Sequence, residues 1–283
     1  MLGQRAILLI AALVTLMLPT AMATTAGCGK TPILKSGRYT MTVNGKQRQW
    51  ILTLPNNYSS NTAYKFIFGL HWRGGSYQDV ANGGYINSYY GVQALANNTA
   101  IFAAPDGLNQ GWANQGGEDI TFMQQIMKQV DADLCINEKL RFSMGWSYGG
   151  AMSYSLACTL PNDFRAVGVF SGASLSGCNG GTQPVAYYAQ HGITDDVLNI
   201  SLGKQIRDTF VRNNKCASQN PPEPSRGSRT HITTQYSGCT AGYPVWWTAF
   251  DGGHNPIPYD GGDTNKDLSW TGKNVWSFFS QFS

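Results

Sequence analysis

Two stretches in which hydrophobic and polar residues alternate, Arg38 to Val43 and Gln47 to Leu54, flank Asn44-Gly45. Alternation with period two is the mark of a half-buried strand, and Asn-Gly tolerates the positive φ angles of a tight hairpin turn. The pattern predicts an opening β-hairpin. Short apolar runs follow at Lys65 to Leu70 and at Ile101 to Ala104, the second ending in Pro105-Asp106-Gly107, and both read as buried strands. The period then changes: Phe122, Ile126, Val130 and Leu134 recur at near-helical spacing, predicting a helix from about Ile120 to Asp133. Leu140 to Met144 reads as a strand and Tyr148 to Thr159 as a helix. Strands at Ala166 to Ser171 and Val185 to Gln190, a helix from Leu202 to Asn213, a last strand at Val245 to Phe250 and a closing helix from Lys273 to Phe282 complete the series. An opening hairpin followed by alternating strands and helices predicts a mostly parallel sheet with helices on both faces.

The first residues fall outside this pattern. Arg5 gives a positive start, Ala6 to Leu18 is an apolar run, Pro19 breaks it, and Ala21-Met22-Ala23 offers the small-x-small site of a signal peptidase. About 13 apolar residues are too few to span a bilayer core, which takes about 20. Residues 1–23 are therefore expected to be a signal peptide and residues 24–283 a single catalytic domain, secreted and outside the membrane. Without Arg5, 19 basic residues face 16 acidic ones, a net charge near +3. That balance, with no basic run interleaved with aromatics, gives no reason to expect nucleic acid as a partner.

Six cysteines follow the leader: Cys28, Cys135, Cys158, Cys178, Cys216 and Cys239. An even count in a secreted chain predicts disulfides, with fifteen possible pairings. None sits in a CxxC or CxxH pair, so neither a metal site nor a cofactor is expected. Sequons at Asn57, Asn97 and Asn199 make these three asparagines candidates for glycosylation.

Gly145-Trp146-Ser147-Tyr148-Gly149 matches G-x-S-x-G between a predicted strand and a predicted helix. In that context the serine sits on a sharp turn with its hydroxyl exposed above the sheet. A serine needs a base, and the chain holds four histidines: His71, His191, His231 and His254. In the α/β-hydrolase fold the chain order is nucleophile, acid, base, which excludes His71. His191 ends a strand before any suitable acid, and His231 lies in an alternating stretch, Thr230 to Tyr236. His254 follows the last strand in Asp251-Gly-Gly-His254 and is the expected base. The acid is expected after the strand Val185 to Gln190, where the H-G-x-x-D spacing of His191-Gly-Ile-Thr-Asp195 selects Asp195 over Asp196. The backbone N–H groups of Tyr148 and Arg73, with Trp72 as rival to Arg73, are the expected oxyanion donors, because Leu70-His-Trp-Arg-Gly-Gly75 is a variant of the HGGG motif. The interval between Ser171 and Val185 is too short for the helical lid of many lipases, so an open site is expected. Trp72, Trp112 and Trp247 are candidate substrate-stacking side chains.

These residues resemble the fungal feruloyl esterases of carbohydrate esterase family one. The likeness runs through Ser36-Gly-Arg-Tyr-Thr40, Leu70-His-Trp-Arg-Gly-Gly75, Gly116-Gly-Glu-Asp119, Gly145-Trp-Ser-Tyr-Gly-Gly150, Ser171-Gly-Ala173, His191-Gly-Ile-Thr-Asp195 and Phe250-Asp-Gly-Gly-His254. It implies release of ferulic and related hydroxycinnamic acids from arabinose on cell-wall arabinoxylan. Another group of such enzymes, similar to tannases, ties cysteines beside serine and histidine in a disulfide; here Trp146 and Gly253 stand there instead. The residues alone also allow an acetyl-xylan or polyhydroxyalkanoate esterase, or a non-catalytic binding protein on a hydrolase fold.

Fold geometry narrows the disulfides to an expected scheme. Cys135 precedes the strand to Ser147 and Cys158 ends the helix descending from it, so these two should meet. Cys216 and Cys239 should pair locally, leaving Cys28 for Cys178.

Overall fold

The computed structural model describes residues 23–283. The expected signal peptide, residues 1–23, lies outside the described residues apart from Ala23. The Asn44-Gly45 turn has φ of 50° and 76°, and it joins β1 (Gly37–Val43) to β2 (Lys46–Thr53) in antiparallel register, with Val43 opposite Lys46. The sheet continues through β3 (Tyr64–Leu70), β4 (Ala100–Pro105), β5 (Ile136–Trp146), β6 (Ala166–Phe170), β7 (Ala186–Gly192), β8 (His231–Gln235) and β9 (Val245–Phe250). Nine strands lie in the order β1-β2-β4-β3-β5-β6-β7-β9-β8. From β4 across to β9 the neighbours are parallel, and the antiparallel pairs are confined to the two margins.

Helices cover both faces, as the alternating pattern predicts. Along β3, Phe66, Phe68 and Leu70 pack with Phe122, Ile126 and Val130 of α3 (Glu118–Asp133) and with Met152 and Leu156 of α4 (Tyr148–Thr159). Ile67, one residue out of step, packs on the other side with α1 (Tyr77–Asn82), α2 (Val92–Ala96) and α6 (Thr271–Ser280). The helix α5 (Ile200–Asn213) sets Ile206 and Phe210 against Tyr187 and Trp247 in a third cluster. A strand buried on both faces reads as an unbroken apolar run, which is why Phe66 to Leu70 shows no alternation of polarity. Truncating a wholly buried aromatic such as Phe122 to alanine costs about 3–5 kcal/mol in a core of this kind.

The short helices α1 and α2 go beyond the sequence pattern. The start of α1 was written in Ser76-x-x-Asp79: the Ser76 side chain accepts from Asp79 N–H while the Asp79 carboxylate accepts from Ser76 N–H, a capping box. β5 begins earlier than Leu140, at Ile136, because the N-terminal segment pairs with it. Thr24 bridges Asn137 in antiparallel fashion, and Thr25 N–H donates to Ile136 O at 3.0 Å.

That pairing corrects the expected disulfides. The bonds are Cys28–Cys135, Cys158–Cys178 and Cys216–Cys239. Only the last was expected; Cys28–Cys178 and Cys135–Cys158 do not form. The bridge of Thr24 to Asn137 carries Cys28 to Cys135, their Cα atoms 4.1 Å apart. Cys158 is met instead by the loop after β6, which runs down beside α4: Ser155 Oγ donates to Ser176 O and Gly181 N–H to Cys158 O. The sequon asparagines Asn57, Asn97 and Asn199 are all exposed.

Candidate active site

Ser147 follows the central strand β5 and caps the start of α4, with φ 57° and ψ −117°. A side chain at positive φ is strained, and the surroundings must hold it there. They do so through close approaches that only glycine permits. A Cβ on Gly149 would stand 2.3 Å from Leu70 O, and one on Gly145 would stand 2.5 Å from the Gly149 carbonyl carbon. Ser147 N–H is bonded to Phe170 O at 2.8 Å, which fastens the turn to β6. Beneath it the Tyr90 hydroxyl donates to Leu70 O at 2.7 Å and accepts from Trp146 N–H at 3.2 Å, tying the ends of β3 and β5. The Ser147 side chain is half-buried, and its elbow leads straight into the N-terminal turn of α4, where Tyr148 N–H lies.

The loops carrying Asp195 and His254 are laced together. Ile193 N–H donates to Phe250 O and Thr194 N–H to Gly252 O, while a Cβ on Gly192 would lie 2.3 Å from both Gly252 O and Gly253 O. This close fit accounts for the glycine after His191 in the H-G-x-x-D segment. It also sets His254 Nδ1 2.7 Å from Asp195 Oδ2. Asp195 is buried, with its Oδ1 accepting from the N–H groups of Val197 and Leu198 at 3.0 and 2.8 Å. Burial pushes its carboxyl up, but the hydrogen bonds from His191, His254 and Leu198, with the charge of His254, outweigh it and hold the group below the usual carboxylate range. Asp196 is exposed to solvent.

His254 Nε2 is buried and makes no hydrogen bond among the described residues. Its ring lies 4.8 Å from that of Trp146, the residue before Ser147, so the imidazole stands beside the elbow. The Ser147–His254 hydrogen bond is not made in this conformation; such bonds are often long without substrate and tighten in the complex.

The His71-to-Gly75 loop borders the same opening. Its Gly74 and Gly75 N–H groups are committed to Gln110 O and Trp72 O, which leaves the Trp72 and Arg73 positions for an oxyanion. His71, set aside as a base, proves to be a buried strut. Gly107 N–H can only donate to His71 Nε2, at 2.9 Å, so the ring proton is on Nδ1 and is given to Trp72 O at 2.7 Å. Burial lowers the proton affinity of His71. His191 is a second strut: its Nε2 lies 2.7 Å from Leu198 O and 3.3 Å from Asp195 Oδ2. His231, by contrast, pairs with Asp260 at the sheet margin.

Two of the expected stacking tryptophans are corrected. Trp112 is wholly buried, with its Nε1–H given to His71 O at 2.8 Å, so it supports the loop from behind. Trp247 is also wholly buried in the α5 cluster, with the Arg207 guanidinium 4.9 Å from its ring. Trp72 does border the opening, half-buried, and belongs to a ring cluster that the motifs did not announce. Its ring lies 5.5 Å from Trp146 and 6.0 Å from Tyr85, and Tyr85 lies 6.3 Å from Trp146. The sequence signal for Trp146 was its place inside the serine motif; Tyr85 had none.

Among the described residues, no group of three or more His, Cys, Asp or Glu could hold a metal ion, and no helix is long and apolar enough to cross a membrane. A cavity of about 710 Å³ is lined by Thr53, Asn56, Asn98 and Phe102 and does not reach the site.

Comparison with known proteins extends the geometry. No family model matches the chain. Among curated proteins, the chain is 46% identical over 271 residues to feruloyl esterase D of Neurospora crassa, covering 93% of this chain and 92% of that one. It is 45% identical over 253 residues to feruloyl esterase C of Emericella nidulans, covering 89% and 92%. Among solved structures, a carbohydrate esterase family one ferulic acid esterase from Anaeromyces mucronatus, in complex with ferulic acid, aligns with TM-score 0.57 at 15% identity, over 87% of this chain and 89% of that one. An acetyl xylan esterase from Aspergillus awamori aligns with TM-score 0.61 at 15% identity, over 86% and 99%. At such identities the structures speak for a shared fold, that of the α/β-hydrolase esterases.

Proposed function

This chain belongs to the fungal feruloyl esterases, and from that membership we propose that it frees ferulic and related hydroxycinnamic acids from sugar esters of arabinoxylan through a Ser147–His254–Asp195 triad. The observation that carries the mechanism is the 2.7 Å bond from His254 Nδ1 to Asp195 beside the strained Ser147 elbow. Ser147 Oγ attacks the ester carbonyl while His254 Nε2 takes its proton. Asp195 keeps the other ring proton on Nδ1 and stabilises the imidazolium. The carbonyl oxygen gathers negative charge within reach of Tyr148 N–H and the N–H of Arg73, whose loop is braced by His71. Collapse of the tetrahedral species breaks the bond to the alcohol oxygen, which leaves with the proton from His254 and gives an acyl-Ser147. Water then attacks the acyl carbon with His254 again as base; collapse breaks the bond to Ser147 Oγ, His254 returns the proton to that oxygen, and the free acid departs. No metal or organic cofactor enters any step.

Secretion belongs to the same reading: the residue 1–23 leader and three disulfides suit an oxidising compartment. So does sugar on Asn57, Asn97 and Asn199.

The test is hydrolysis of the methyl esters of ferulic, p-coumaric, caffeic and sinapic acids, run beside p-nitrophenyl acetate, with a fluorophosphonate probe mapped by peptide sequencing. Release of the aromatic acids and probe on Ser147 are expected. Cleavage of the acetate with none of the four hydroxycinnamates overturns the substrate assignment, and probe on another residue overturns the nucleophile.

A further inference from the structure

Among the described residues Tyr85 is one of six large hydrophobic side chains left open to solvent, 52% exposed, and its ring lies 6.3 Å from that of Trp146, the residue before Ser147. Its neighbours are Trp146, which ends 4.8 Å from His254, and Trp72, which precedes the proposed oxyanion donor Arg73. Three rings from three separate segments thus meet beside the nucleophile and base.

The cluster is built rather than accidental. Tyr85 follows Gly83 and Gly84, with φ 77° and 143°, in a turn where Gly84 N–H donates to Ile86 O. The same turn is clamped to the loop beyond His254 by a reciprocal pair: Lys266 Nζ donates to Gly84 O at 3.0 Å, and Asn87 Nδ2 donates to Lys266 O at 2.8 Å. Among the described residues the Tyr85 hydroxyl has no hydrogen-bond partner, so the fold asks nothing of it. A ring held out into water over an ester-cleaving site, on a backbone so fastened, is placed for a ligand.

We propose that Tyr85, with Trp72 and Trp146 as walls, binds the aromatic ring of the acyl group and sets the preference for hydroxycinnamoyl over short aliphatic esters. This rests on the feruloyl esterase reading and adds the residues that make it selective. The geometry favours a flat conjugated ring. The three planes are inclined at 54°, 56° and 70° to one another, so the notch presents faces and edges together. An aromatic guest can stack on one face and meet the edges of the others. The two-carbon spacer of a cinnamate is conjugated and stiff, so a ring fixed by Tyr85 also fixes the carbonyl relative to Ser147.

The experiment compares kcat/KM for methyl ferulate with that for p-nitrophenyl acetate in the unaltered enzyme, Tyr85→Ala and Tyr85→Phe. The ferulate-to-acetate ratio should fall by roughly tenfold to a hundredfold in Tyr85→Ala, mostly through KM, and be restored in Tyr85→Phe, because the ring and not the hydroxyl is used. Ferulate should also quench tryptophan fluorescence of a Ser147→Ala protein and do so more weakly when Tyr85→Ala is added. A ratio changed less than about twofold, or equal losses in Tyr85→Ala and Tyr85→Phe, would each overturn the proposal. Failure of the underlying reading shows separately, as an unaltered enzyme that cleaves acetate and none of the hydroxycinnamates.

Discussion

His191 Nε2 stands 3.3 Å from Asp195 Oδ2, the same oxygen that His254 engages at 2.7 Å. With Val197 and Leu198 N–H on Oδ1, every partner of this carboxylate is a donor. An asparagine there must turn its NH₂ against donors whichever way it faces, losing bonds on one side or reversing the His254 tautomer. Asp195→Asn is therefore expected to lower kcat by roughly 10³–10⁴-fold. Asp196→Asn, at an exposed carboxylate, should change it little. The opposite ranking in steady-state assays would discard Asp195 as the acid.

Ser147→Ala and His254→Ala should each reduce kcat by several orders of magnitude, roughly 10⁴–10⁶-fold, while far-ultraviolet circular dichroism stays that of the unaltered protein. The double variant should lose little more than either single one, since removing the nucleophile leaves the base nothing to activate. Multiplying losses would mean that the two residues act independently, and the triad would have to be abandoned.

How far the sequence could be read depended on whether a signal was local. The Asn44-Gly45 hairpin, the Ser147 elbow and the Asp195 segment are each specified within a few residues, by turn chemistry or glycine-permitted contacts, and each was legible. The stacking role expected of Trp247 fails because β9 is covered on both faces: Trp247 packs with Phe210 in the α5 cluster and its neighbour Trp246 against Phe278 of α6. In such a strand alternation carries no message about exposure. The Cys28 pairing was hidden for another reason. Residues 24–28 carry no periodic pattern, and their partner is a strand start more than a hundred residues away. The Tyr85 cluster likewise exists only once three distant segments have met.

His71 gives the fold a pH dependence whose sign follows from its partners. Its Nε2 accepts from Gly107 N–H, so a second proton breaks that bond, and burial holds its pKa below the ordinary histidine value of about 6.5. A lowered folded-state pKa contributes stability that is complete above the unfolded value and is lost as pH falls through the folded one. Thermal melts should therefore show the unaltered protein weakening as pH drops below about 6.5, and a His71→Gln variant, less stable at neutral pH, weakening by less over the same range. Parallel curves for the two proteins would show that His71 does not titrate on unfolding.

The disulfides separate loop length from local packing. Cys28–Cys135 spans 107 residues and Cys158–Cys178 only 20, so the first restricts the unfolded chain more. Loop-closure entropy puts the difference at about 1.5 kcal/mol in favour of the longer span, on totals of about 3–5 kcal/mol each. The long bridge also anchors a segment with real contacts, since Thr25 Oγ1 donates to Leu134 O and accepts from Ile136 N–H. Replacing both cysteines of a pair with serine should lower the urea midpoint more for Cys28 and Cys135 than for Cys158 and Cys178, at similar m-values. The second pair tethers the loop after Ser171 to α4, away from His254, and its loss should leave kcat on small esters near that of the unaltered enzyme. Equal or reversed midpoints would show that strain or residual structure, not loop closure, governs these bonds. Peptide mapping without reductant checks the connectivity itself, and a Cys135–Cys158 peptide would contradict the course of the N-terminal segment along β5.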